Sequence, residues 1–314
     1  MNRRFSLSVL FLASAVIFGS FISSTDVHGA TPPSGESATG TILCSVFPVF
    51  ALAKEIASGA SLPVELLLPA DLGCPHQYSL TPGDFRRITQ ARVLILNGLR
   101  FEPFLERLTQ DVPDLPRIVC ASGVFTIPSV DEPDEVNAHV FTTPSGLRNM
   151  GANMASQLAI LDPSQADLYK KNARRFEARL DEIEKQFTEL AVKTASVPVL
   201  LTHDSLDYLA KDLHLRVLAR LGGGGDGESG EVSAKRMAEV SELIRREKPA
   251  AILVDGRETP PMAATLVRET GIRLIHLPLL TSGESSPSAD YMYRNLLEIH
   301  GLLSGLVSDE KASE

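Results

Sequence analysis

The stretch from Asp162 to Ser196 constrains this 314-residue chain more than any other. Phe176, Leu180, Ile183, Phe187, Leu190 and Thr194 recur every three or four residues, the spacing that lays one apolar stripe along a helix. Asp162 can cap, Pro163 suits the first helical position and Gln165 completes a capping-box spacing, while Val197-Pro198 stops the run. At about 1.5 Å per residue this helix is roughly 50 Å long. That is too long for a crossover inside one small domain, so it is expected to be a backbone between two domains.

Short apolar runs alternate with helical segments on both sides of it. Before it, Thr41–Ser45, Leu62–Leu68, Val93–Leu96 and Ile118–Ala121 are expected as strands, with helices over Pro48–Ala57, from Thr81-Pro82-Gly83-Asp84, and over Phe101–Leu108. After it, strands are expected over Val199–Thr202, Ala250–Asp255 and Arg273–Leu277. The helices expected there are His203–Leu213, Ser233–Glu247, Pro260–Thr270 and Asp290–Leu303. This alternation predicts an α/β fold: two parallel-sheet α/β domains joined by one long helix. The expected division is a signal peptide over 1–29, a polar linker over 30–40, an N-terminal domain over 41–161, the connecting helix over 162–196 and a C-terminal domain over 197–314.

Charge narrows the function. With 30 Lys and Arg against 39 Asp and Glu the net charge is −9, whereas a general nucleic-acid binder is basic. The absence of Trp argues against an aromatic stacking platform. Arg3 and Arg4, the uncharged run Phe5–Ile22 and the small residue at Gly29 form the pattern of a cleavable secretory signal. No Cys lies near that cleavage point, so a lipid anchor there is not expected, and a bacterial periplasm is the expected compartment. Cys44, Cys74 and Cys120 are odd in number, so at least one has no partner within the chain. The glycine run Gly222–Gly230 contains Asp226 and Glu228 where a phosphate-binding loop needs Lys. It is expected to be a surface loop.

Three histidines stand out by position. His76 follows a strand, His139 precedes a Pro-opened helix, and His203 directly follows the run Val199–Thr202. His76 and His203 thus fall at carboxyl ends of strands, the edge where open α/β sheets bind ligands. Three imidazoles with one oxygen ligand would suit tetrahedral zinc. Spacing alone also fits three histidines that cap or hydrogen-bond within loops.

The surroundings of these histidines resemble the solute-binding proteins of bacterial zinc and manganese ABC importers, the ZnuA/TroA-like group. The resemblance is carried by Pro75-His76-Gln77-Tyr78 with Thr81-Pro82 and Asp84, and by Asn97-Gly98 with Glu102 and Phe104. It continues in His139, Phe141 and Pro144, in Asp162-Pro163, Tyr169 and Asn172-Ala173, in His203-Asp204-Ser205 with Tyr208, and in Tyr291 and Asn295. It extends from about residue 41 to 303. It implies a metal site in the cleft between two domains, with His76, His139 and His203 as ligands. It further implies a monomer that delivers a divalent ion to the permease of an ABC importer in the inner membrane and catalyses nothing.

Leu277 stands where many relatives carry an Asp ligand, before Pro278-Leu279. Water, Asp255, His276 or Cys74 could fill that place, with Asp255 expected either as fourth ligand or as an orienting partner of a ligand. Asn137-Ala138 before His139 also departs from the family's usual Asp-Pro. Imidazole-rich ligation favours Zn2+, with Mn2+, which prefers carboxylate oxygen, as the alternative cargo. A three-His zinc hydrolase, with Asp204 or Asp255 as base, is the competing enzymatic reading, and a metal chelate is the competing ligand.

Overall fold

The structure is a computed structural model, and it describes residues 40–72, 75, 78–105, 111–130, 134–222, 234–288 and 290–308. The expected signal peptide, His76, Cys74 and residues 223–230 of the glycine run lie outside the described residues. The described strands form two four-stranded parallel sheets. The first is built from β1 (Ile42–Cys44), β2 (Val64–Leu66), β3 (Val93–Leu96) and β4 (Arg117–Val119) in the order β2-β1-β3-β4. The second is built from β5 (Pro198–Leu201), β6 (Arg216–Arg220), β7 (Ala251–Asp255) and β8 (Leu274–Leu277) in the order β6-β5-β7-β8. The two halves therefore repeat one topology. In each, the chain leaves its first strand to one side and then returns to the other, which creates a crevice at the carboxyl ends of β1 and β3 and of β5 and β7.

The strands are short and almost wholly apolar because both faces are covered, as parallel sheets require. Leu43, Leu94, Ile95, Leu200 and Ile252 are all fully buried. The helices described in full are α1 (Phe47–Ile56), α2 (Pro82–Gln90), α3 (Pro144–Leu161), α4 (Ala166–Thr194), α5 (Asp207–Asp212), α6 (Ala234–Glu247), α7 (Pro261–Thr270) and α8 (Tyr291–Ser308). None of the described helices is long and apolar enough to cross a membrane.

The long helix α4 has 29 residues, about 44 Å at 1.5 Å per residue. All six residues of its predicted stripe are buried. It packs on α1 and α3 of the first half and on α8, which follows the second sheet. Its start differs from the expectation. Asp162 makes no capping hydrogen bond, and a 3-10 turn over Pro163–Gln165 precedes the α-helix. The Asp162 carboxylate instead accepts from Ser164 Oγ at 2.6 Å and Tyr169 OH at 3.4 Å. At α2, by contrast, the helix expected from Thr81-Pro82-Gly83-Asp84 opens with a full capping box between Thr81 and Asp84.

Two elements exceed the sequence expectation. β6 is an edge strand with Arg216 and Arg220 at its ends, and such charged edges blur the apolar signal. The 18-residue helix α3 was anticipated only by the Pro that opens it. In the reverse sense, the helix expected over Phe101–Leu108 is a 3-10 turn, Pro103–Leu105, as far as it is described.

Candidate metal site in the cleft between the two sheets

Each crevice residue is placed by a short chain of hydrogen bonds. At the end of β3, Gly98 has φ +89°, and a Cβ there would lie 2.3 Å from Val119 Cγ1, so only glycine fits. The turn is held by Glu102, whose buried carboxylate accepts from Asn97 N at 2.6 Å, Gly98 N at 3.1 Å and Ser45 Oγ at 2.7 Å. Burial pushes the Glu102 carboxyl up, and those hydrogen bonds oppose the shift. Asn97 Nδ2 in turn donates to Ala138 O at 3.1 Å. The Asn97, Gly98 and Glu102 positions therefore act on the segment that carries His139.

His139 is 2% exposed and sits before a 3-10 turn over Val140–Thr142. Thr143 then caps α3, and Gly146 is obligatory there, because a Cβ would lie 1.7 Å from Val140 O. The His139 ring packs edge-on against Phe101, with centroids 5.2 Å apart. Asn137 Oδ1 lies 2.9 Å from His139 N and 3.0 Å from His139 Nδ1. A backbone N–H can only donate, so the Asn137 oxygen is the acceptor for both. Nδ1 then carries the ring proton and Nε2 the lone pair.

His203 leaves the carboxyl end of β5 and caps the 3-10 turn Asp204–Leu206, its Nδ1 3.1 Å from Ser205 N. The two rings, one from each half of the chain, meet edge-on with centroids 5.3 Å apart. Asp204 Oδ1 lies 2.9 Å from His203 Nδ1 and 3.5 Å from His139 Nδ1. Ligand atoms of His139, His203 and Asp204 all fall within 4.8 Å of one another. Among the described residues this is the one group of three or more His, Cys, Asp or Glu with metal-binding spacing.

Asp204 was weighed in the sequence only as a base. Its adjacency to His203 was visible, but its closeness to His139 arises from the meeting of two loops. Asp255 ends β7 and accepts from Ser205 Oγ at 2.6 Å and Thr281 Oγ1 at 3.1 Å. It thus reaches His203 through Ser205 and stands outside the three-residue group. Leu277 is fully buried in β8. His276 has Nδ1 3.1 Å from Gly256 O and Nε2 3.1 Å from Thr259 Oγ1. Cys44 and Cys120 are buried and unbridged, and burial pushes both thiols up.

The halves are fastened around this point. Asn137 Nδ2 donates to Asp204 O at 2.8 Å, Tyr208 OH to Asn137 O at 2.7 Å, and Gly283 N to Ala70 O at 2.8 Å. A cleft of about 950 Å3 opens beside His203 and Asp255, lined also by Asp71 from the first half and by Arg257, Tyr291 and Asn295 from the second.

Two α/β halves of one repeated topology, a long connecting helix and a cleft beside His203 and Asp255 define the architecture. Residues 42–299 match the family described as "Zinc-uptake complex component A periplasmic", and the chain belongs to that family. It is 24% identical over 272 residues to zinc-binding lipoprotein AdcA of Streptococcus pneumoniae, covering 82% of this chain and 53% of that protein. The chain therefore spans about half the length of that relative. It is 24% identical over 274 residues to high-affinity zinc uptake system protein ZnuA of Yersinia pestis, covering 78% of this chain and 85% of that one. The fold is shared with the nickel complex of the SBP FpvC from P. aeruginosa, with a TM-score of 0.74 at 23% identity, covering 88% of this chain and 99% of that one.

Proposed function

We propose that this protein is a periplasmic divalent-metal-binding protein that carries Zn2+ to an ABC importer permease, with Mn2+ as the alternative cargo. The observation that carries the reading is the meeting of His139 and His203 from opposite halves, their rings 5.3 Å apart and Asp204 against both Nδ1 atoms. Asn137 accepts from His139 Nδ1 and leaves the lone pair of that ring on Nε2, an arrangement common around ligating histidines, while His203 Nδ1 accepts from Ser205 N beside the Asp204 carboxylate. His76 is the third imidazole on its sequence match alone. Asp255 supports His203 through Ser205 and is an orienting partner rather than a ligand. A set rich in imidazole and poor in carboxylate ligands favours zinc over manganese. The zinc names of the two relatives point the same way.

The protein binds and releases its ion without chemistry on it, and it acts as a monomer. Export rests on the signal-like pattern of residues 1–29 and on the family's periplasmic description. Competition titration against a chromophoric zinc chelator tests the site. His76→Ala, His139→Ala and His203→Ala are each expected to weaken zinc binding by orders of magnitude. Unchanged affinity in a variant removes that residue from the site.

A further inference from the structure

The cleft is far larger than an ion needs. Its volume of about 950 Å3 lies at the upper end of the roughly 300–1,000 Å3 typical of small-molecule sites, and it runs from His203 and Asp255 to α8. Of the carboxylates lining the cleft, Asp255 is the one linked to His203, through Ser205. Leu277 stands where the resemblance expects an Asp, and both oxygens of Asp255 already accept hydroxyl hydrogen bonds. Zinc nevertheless takes four donors.

The charges lining the cleft say what could supply the missing donor. Arg257 is exposed and has no ion pair among the described residues, and Arg294 donates to Ser288 Oγ at 2.6 Å. Against these guanidinium groups stand Asp71, Glu258, Glu284 and Glu298. Carboxylates thus outnumber arginines around the space. A polyanionic chelator such as citrate meets net repulsion from this surplus of carboxylates. A zwitterion satisfies both signs, with its carboxylate toward an arginine and its ammonium or amine toward the acids or the metal.

We propose that the cleft binds a small amine–carboxylate chelator of amino-acid type together with the metal, its N and O donors completing the coordination that the histidines begin. This rests on the metal site proposed above and adds the chemical class of a second ligand. Arg257 holds the chelator's carboxylate and has no part in holding the ion.

The test is equilibrium dialysis of the full chain with radiolabelled L-histidine, with and without one equivalent of zinc, and in parallel with radiolabelled citrate. The zinc retained is measured by mass spectrometry in every cell. About one histidine per chain is expected, only when zinc is present, with no citrate retained. Arg257→Gln is expected to lose histidine retention at least tenfold while still holding zinc. No histidine retained by the zinc-loaded parent in the cells that contain histidine, citrate retained in place of histidine, or histidine retention unchanged in Arg257→Gln overturns the proposal and leaves the metal site standing. Failure to retain zinc in any cell overturns the metal site itself.

Discussion

Replacing Asn137 by Ala is the sharpest probe of how the cleft is built. Asn137 is 1% exposed, and its side chain contacts His139 N at 2.9 Å, His139 Nδ1 at 3.0 Å and Asp204 O at 2.8 Å, and also hydrogen-bonds the Asp207 carboxylate. The contact to Asp204 O joins the two halves. Ala removes them all and strands buried backbone groups, each costing about 1–3 kcal/mol. The contacts share one side chain and are not additive, so the metal-free protein should lose about 2–4 kcal/mol. Loss of a partner that orients a ligating imidazole costs about 10- to 100-fold in metal affinity, or about 1.4–2.7 kcal/mol. Asn137→Asp keeps the acceptor for Nδ1 and should hold zinc more tightly than Asn137→Ala. Urea unfolding of the metal-free protein reads the first effect and competition titration with zinc reads the second. Zinc affinity within twofold of the parent in Asn137→Ala would refute the orienting role.

Three further outcomes follow from the packing. Gly283→Ala places a Cβ 1.9 Å from Phe47 Cζ, against a ring held edge-on by Tyr291. Such overpacking costs about 1–3 kcal/mol, and thermal melts should show partial recovery when Phe47→Leu is added. Glu55 is buried at the junction of α1, α4 and α8, where Tyr293 OH lies 3.3 Å from Oε2 and Oε1 has no hydrogen-bond partner among the described residues. Burial raises its pKa, opposed by Arg179 and by the Tyr293 hydrogen bond. The folded state therefore binds that proton more tightly than the unfolded chain, a contribution present below the unfolded pKa and lost as pH rises through the folded value. Glu55→Gln should raise the melting temperature at neutral pH, and the gain should shrink toward pH 4; a gain that grows in acid would contradict this. Glu102→Gln weakens the acceptor for Asn97 N, Gly98 N and Ser45 Oγ. It should lower both stability and zinc affinity, whereas a change in stability alone would detach that turn from the His139 segment.

Most of the fold was legible because its signals are local. The α4 stripe, the Pro-opened start of α2 and the buried runs of β1, β3, β5 and β7 all follow from side-chain periodicity and local chain chemistry. The exceptions have physical causes. An edge strand with arginine ends hid β6, and a 3-10 turn displaced the expected cap at Asp162. The site was legible only in part. The positions of His139 and His203 at loop and strand ends could be read, but their mutual approach could not. Asp204 meets His139 only because Asn137 and Tyr208 tie the two halves together. That pairing is tertiary, between residues about 65 apart in the chain, and no periodicity encodes it. Asn137 likewise looked like a departure from the family pattern, yet its amide supplies the acceptor that fixes the His139 ring.

The central claim is that His139 and His203 hold a divalent ion between the two sheets. Metal content by mass spectrometry, after loading with zinc and exhaustive dialysis, tests it most directly in the parent and in the His139→Ala/His203→Ala double variant. The account predicts about one zinc per chain in the parent and essentially none in the double variant. A parent that retains no zinc, or a double variant that retains a full equivalent, would contradict it.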